Sequence, residues 1–215
     1  MQRKIPKLNV FSMIGKNEEI LWSGKPDKKC FILESIFNAL LPFALVWGII
    51  DFSIIGVALS SKDAPAVFII PFFALHLMPV WIYLGGVCFS YVKYKNTEFA
   101  VTNKGIYCSG GILTQNFEHK PFTELSHVNM HRGVIDRILG VGDVTVTSNQ
   151  DGYNFRNSRT AFRGISICDI PDFESVYHLI KDLQENIYSD TMYPNDLRPA
   201  ENHGYNTKYI NRFKS

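Results

Sequence analysis

Two ionisable residues stand deep inside apolar stretches, Asp51 in "WGIIDFSII" and His76 in "FFALHLMP". A carboxylate and an imidazole side by side can share or relay a proton, and ionisable groups in such surroundings are rare enough to be candidate sites. At a helical rise of 1.5 Å per residue, Asp51 lies about 12 Å from the end of its stretch at Leu59, and His76 about 16 Å from the start of its own at Pro65. The depths nearly match, so the two are expected to pair across a hairpin of helices. One reading is a proton-responsive or transport-linked pair in an accessory subunit of a transporter. The other, preferred here, is a structural hydrogen bond between helices or across an oligomer.

Other chemistry-bearing residues are weaker candidates. His119, His127 and His131 suggest a zinc site, but residues four apart on a strand stand about 13 Å from one another, so His127 and His131 cannot share one metal without a bend. Surface or turn histidines are expected. The segment "FRNSRTAFRG" carries Arg156, Arg159 and Arg163, whose guanidinium groups suit phosphates or an acidic partner; the alternative is a solvated loop. With Lys93 and Lys95 these arginines form the candidate ligand or lipid contacts. Cys30, Cys88, Cys108 and Cys168 show no CxxC spacing and are expected to be free structural thiols. "GKP" lacks a phosphate-loop glycine frame, "GVGDVT" is not a dinucleotide fingerprint, and neither GxSxG nor HExxH occurs. No catalytic residue, cofactor or metal is therefore expected, and the protein is not expected to be an enzyme.

The elements that must position these groups are of two kinds. Residues 31–59 contain only Glu34 and Asp51 as charges, and residues 64–92 contain none. A bilayer core about 30 Å thick needs roughly 20 apolar residues in a helix, so both runs suffice. "SSKD" between them allows only a tight reversal. Lysine and arginine set the orientation. Arg3, Lys4, Lys7, Lys16, Lys25, Lys28 and Lys29 precede the first run, Lys62 alone lies in the reversal, and Lys93, Lys95 and Lys104 follow the second. A multi-pass protein of the cell (inner) membrane with both termini cytoplasmic is expected. Pro71 and Pro79 are expected to kink the second span. Trp22 suits either the headgroup region or packing on the soluble part.

From Thr97 the hydrophobic period changes to two, as in "DVTVTS" and "GISICDI", with turns at Asn103–Gly105, Gly110–Gly111 and Asp151–Gly152. An antiparallel meander of about seven strands follows. Phe173, Val176, Tyr177, Ile180, Leu183 and Ile187 then form one stripe of an amphipathic helix. Residues 93–188 hold ten Lys or Arg and eleven Asp or Glu. This near-neutral balance excludes the basic face of a nucleic-acid binder. The expected organisation is a cytoplasmic N-terminal arm (1–30), a two-helix transmembrane hairpin (31–92), a soluble α+β domain (93–188) and a polar, disordered tail (189–215).

An antiparallel sheet of about seven strands capped by one C-terminal helix is the order of a pleckstrin-homology (PH) fold. With "EEILWSGKP" before the spans, "FAVTNKGIYCSGGILTQNFEHKPFTELSHV" and "DRILGVGDVTVTS" after them, and "ICDIPDFESVYHLI" at the end, the chain resembles bacterial membrane proteins with a PH-like domain. The resemblance spans most of residues 18–188. It implies a membrane-anchored binding or assembly module that recruits or senses a protein partner or membrane lipid, with self-association a further option. An anionic-lipid sensor is the alternative. The turn "VTNKG" offers only Lys104, so phosphoinositide recognition is not implied.

Overall fold

Alternation builds the sheets of this protein, and a few turn residues divide them. The computed structural model describes residues 8–60, 66–148 and 164–192. Among the described residues seven strands form: β1 (Ile20–Gly24), β2 (Glu98–Thr102), β3 (Gly105–Gly110), β4 (Asn116–Pro121), β5 (Leu125–His131), β6 (Gly142–Ser148) and β7 (Ile165–Ile170). The chain divides into two compact units, Phe31–Lys95 and the segments that flank it up to Cys30 and from Asn96 onward.

In the flanking unit the strands make two antiparallel sheets, β1-β2-β3-β4 and β5-β6-β7, not the single meander expected from the sequence. The division falls at Pro121. It has no amide to continue a ladder, and a 3-10 turn at Phe122–Glu124 drives the Phe122 side chain into the core. The alternation itself is as the sequence predicts: Val144 and Val146 are fully buried, while Thr145 and Thr147, each the next residue along, are half-buried.

The seventh strand comes from the segment ahead of the apolar runs, which corrects the expected boundary at residue 93. Ile20–Gly24 pairs antiparallel with β2, Gly24 opposite Phe99, so residues 25–97 are inserted between two hydrogen-bonded neighbours. Leu21 joins the core, and the Trp22 indole Nε1 donates to Asp172 Oδ2 at 2.5 Å. This settles Trp22 on the domain. A 3-10 turn at Val10–Met13 lies against the other face of β2 and β3, where Val10 packs with Ala100 and Tyr107. The Tyr107 hydroxyl donates to Glu18 Oε2 at 2.9 Å, and burial followed by that carboxylate pushes its pKa up to about 12.

The helices are α1 (Lys28–Ile36), α2 (Leu40–Ser60), α3 (Ala66–His76), α4 (Met78–Asn96), α5 (Val134–Leu139) and α6 (Phe173–Met192). Helix α6 carries the expected stripe: Phe173, Val176, Ile180 and Leu183 are buried, together with Leu179. Truncating a fully buried residue such as Ile180 to Ala costs about 2–5 kcal/mol in cores of this kind. Helix α5 was not foreseen, although its signals are local. The Asp136 carboxylate accepts from the Gly133 amide at 2.7 Å, and Gly140 ends the helix at φ 73°, a left-handed turn that favours glycine.

In the helical unit, each apolar run is interrupted. Asn38 separates α1 from α2: its Nδ2 donates to the Ser35 carbonyl at 2.7 Å and its Oδ1 accepts from the Leu40 amide at 2.8 Å. Pro42 then occupies the first turn of α2, where a missing amide costs little. Leu40–Ala58 is long and apolar enough to cross a membrane, and only 17% of its most apolar window is buried within the molecule, unlike a core helix. Ile69–His76 and Met78–Asn96 pass the same test together, bent by 54°. The bend is at Leu77, not at Pro71, which stays inside a continuous α3. Pro79 explains the location, because it has no amide to offer the carbonyl of Leu75 one turn earlier. Helix α1 reaches α4 through Ser35 Oγ, which donates to Ser90 Oγ at 2.9 Å, and through the Tyr83 hydroxyl, which donates to the Ile36 carbonyl at 3.0 Å.

Candidate functional site

The break in the second apolar run positions the principal site. A helix interruption leaves carbonyls without amide donors, and two indoles supply them. Trp81 Nε1 donates to the Ala74 carbonyl at 3.0 Å, and Trp47 Nε1, from α2, donates to the His76 carbonyl at 2.9 Å. Irregular backbone in an apolar setting persists where such partners exist. His76 is thereby held at the last position of α3.

Its imidazole faces Asp51. His76 Nδ1 lies 2.9 Å from Asp51 Oδ1 and 3.0 Å from Oδ2, a forked contact in which Nδ1–H donates to the carboxylate. Asp51 is 1% exposed, so this partner supplies polar contact that solvent cannot. Three aromatic rings pack against the imidazole: Trp47 stacks at 5.1 Å and Phe72 at 5.3 Å, while Phe73 meets it edge-on at 6.4 Å. The arrangement can fasten α2 to the break in the second run and can hold one proton at Nδ1. Trp47 is the residue the sequence reading did not single out. It lies one helical turn before Asp51, on the same face of α2, and that spacing was the available signal.

Of the other sequence candidates, the two lysines and the three histidines lie among the described residues. Lys93 and Lys95 lie in the last turn of α4, where cations complement the helix dipole. Lys93 Nζ stands 5.6 Å from the Phe31 ring centre and Lys95 Nζ 4.4 Å from that of Tyr91. Arg156, Arg159 and Arg163 lie outside the described residues, in the connection from β6 to β7. His119 stacks on Tyr107 at 4.2 Å, while His127 faces Thr147 and His131 faces Asp143 across the β5–β6 ladder. Among the described residues these histidines form no ligand set.

A buried polar cluster in the flanking unit went unread in the sequence. Asp27 Oδ1 accepts from the Cys30 amide at 2.9 Å, and the Cys30 thiol donates to Asp136 Oδ1 at 3.1 Å. Cys30 is fully buried, and Asp136 and Asp169 are each 1% exposed. The donor atoms of these three lie within 4.8 Å of one another. Burial first, then hydrogen bonds to Asp136 and Asp169, pushes the thiol far above its ordinary range. Cys30 is therefore a neutral hydrogen-bond donor to carboxylates, not a nucleophile. Cys108 is likewise pushed up, to about 11, by burial and then by Glu118. Asp169 sits at φ 55°, beside a register shift between β6 and β7, and its amide donates to Asp143 Oδ1 at 2.8 Å. Burial raises the pKa of Asp143 from its ordinary value; the Asp169 amide opposes the rise, Asp136 adds to it, and His131 opposes it.

Comparison with known proteins gives one family. No curated protein and no solved structure matches the chain. The bacterial PH domain family matches residues 38–184, a region that takes in α2 to α4 as well as the strands from β2 onward and most of α6. That interval covers more than half of the chain, and the order of two antiparallel sheets followed by a long helix agrees with it. The chain belongs to the bacterial PH domain family.

Proposed function

We propose that this protein is a two-span membrane protein presenting a PH-like binding or assembly module at the cytoplasmic face, where it recruits or senses a protein partner or lipid. The observation that carries the reading is the pairing of β1 with β2. The helical insertion leaves the sheet after Gly24 and returns to the adjacent strand at Glu98, so its two ends lie on one side of any membrane. An insertion of this kind crosses an even number of times. If Leu40–Ala58 crosses, the bent pair must cross back. The excess of Lys and Arg on the flanking segments supports the cytoplasm as the side of the domain.

For the partner, strand β5 offers the better edge. It bonds to β6 on one side, and among the described residues no strand pairs with its other side. His127, Asn129, Met130 and His131 are exposed there, and α6 passes its start, with Gln184 Nε2 donating to the Leu125 carbonyl at 2.9 Å. A sheet edge beside a helix suits an added extended peptide. The Asp51–His76 contact fits a fastening between helices better than a transport step, because the aromatic faces and the forked bond hold the imidazole in one pose.

The test joins topology to binding. A reporter fused after Ser215 is expected to be active only in the cytoplasm, and one inserted between Ser60 and Asp63 only outside. A photo-crosslinker at Met130, in native membranes, is expected to give a discrete protein adduct that the substitution Asn129→Pro removes. Periplasmic activity at Ser215 overturns the topology. Absence of any adduct at Met130, with normal topology, overturns β5 as the docking edge.

A further inference from the structure

The turn between β3 and β4 is built to be apolar at its tip and rigid at its base. Leu113 is 92% exposed and Ile112 40% exposed. Gly111 lies at φ 121°, and a Cβ there would run into the Thr114 carbonyl, so the tip has a fixed shape that only glycine allows. Gln115 Nε2 donates to the Leu8 carbonyl at 3.0 Å, bringing a third apolar residue, itself 46% exposed, to the base of the turn.

A single exposed leucine is ordinary in a soluble protein. The tether makes this turn informative. Asn96 Nδ2 donates to the Gly111 carbonyl at 3.1 Å, and Ser109 Oγ donates to the Asn96 carbonyl at 3.0 Å. Asn96 is the last residue of α4, and Thr97 alone separates it from β2. The register agrees, because Glu98 at the start of β2 faces Ser109 at the end of β3. The apolar turn is thus hydrogen-bonded to the residue at which the second apolar run ends. From Met78 to Asn96, α4 extends about 28 Å at 1.5 Å per residue, with Tyr91, Tyr94, Lys93 and Lys95 in its last two turns. Aromatic and basic residues of that kind mark the interfacial level of a bilayer.

We infer that Ile112 and Leu113, with Leu8 beside them, form a lipid-dipping turn that seats the PH-like domain against the bilayer its own helices span. The occupant is the boundary between headgroups and acyl chains, where apolar faces enter by about 5–10 Å. The inference rests on the membrane reading above and adds to it a contact made by the sheet itself.

Spin-label accessibility in proteoliposomes of the full chain tests this. In a background with Cys88, Cys108 and Cys168 changed to Ser and the buried Cys30 kept, a nitroxide is placed by L113C, by V46C on α2 as the lipid reference, and by E118C on exposed β4 as the water reference. The ratio of collisions with oxygen to collisions with a water-soluble nickel chelate is expected to be several-fold higher for L113C than for E118C, and to approach that of V46C. A water-like ratio at L113C with a lipid-like ratio at V46C overturns the dipping turn alone. Low accessibility to both reagents at L113C means that protein, not lipid, covers the tip, and overturns it as well. A water-like ratio at V46C overturns the membrane reading and the turn together.

Discussion

Replacing His76 by Leu leaves the Asp51 carboxylate, 1% exposed, facing an apolar side chain. Removing one member of a buried pair typically costs about 3–5 kcal/mol, because the remaining charge stays desolvated and unpaired. The lower end, about 3 kcal/mol, applies here, since the His76 side chain is 41% exposed. Removing both partners, D51L with H76L, removes the stranded charge too and is expected to bring stability back to within about 1 kcal/mol of the original. The amide pair D51N with H76Q keeps a neutral hydrogen bond, of the size found between membrane helices, about 0.6 kcal/mol on average. The thermodynamic cycle over D51L and H76L therefore carries a coupling of about 2 kcal/mol or more. The assay is reversible unfolding of the full chain in mixed micelles with a rising mole fraction of SDS, followed by tryptophan fluorescence, to which Trp47 contributes from its stacked position on His76. Single and double variants that add to within about 0.5 kcal/mol would refute the pairing as an energetic link between the helices.

Two further outcomes are expected. Trp22→Phe removes the indole donor to Asp172 while keeping an aromatic ring, and a bond to a charged acceptor is worth about 1.5–3 kcal/mol; thermal unfolding should show a loss near the lower figure, because the bond is only half-buried. An unchanged midpoint would mean that β1 contributes no anchoring to α6. Asp143 has a folded pKa above its unfolded 3.8, so the native state binds the extra proton and stability falls as pH rises from about 4 through the folded value. Asp143→Asn retains an acceptor for the Asp169 amide and should flatten that slope, with a net gain at neutral pH; an equal slope in variant and parent would refute the assignment.

Much of the sheet could be read from local alternation. The valines of β6 and the isoleucines of β7 fall where period two puts them, because each strand has one face on the core. Strand β1 could not be found this way. Five residues carrying Leu21 and Trp22 fit a headgroup anchor as well as a strand, and only long-range pairing with β2 separates the two. The apolar runs were legible as runs, but their interruptions depend on single residues. Asn38 ends one helix and caps the next, and Pro79 breaks the second run while Pro71 does not. The depth argument for Asp51 and His76 rested on straight helices. The pair nevertheless lies at hydrogen-bond distance, since the bend at Leu77 comes one residue after His76. The Cys30–Asp136 cluster joins residues more than a hundred positions apart and leaves no periodic trace.

The insertion of four helices between β1 and β2 also sets an order of events during synthesis. Gly24 and Phe99 become neighbours only after more than seventy intervening residues have emerged. For a free coil of that length, bringing the ends together costs close to 4 kcal/mol, about (3/2)RT ln n. Under the proposed two-span topology, a hairpin lodged in lipid would deliver its two ends to the same surface and remove most of that penalty. Closure of the first ladder would, in that topology, be conditional on correct integration of the apolar segments, and a chain that failed to integrate would keep an open strand edge that surveillance proteases and chaperones can recognise.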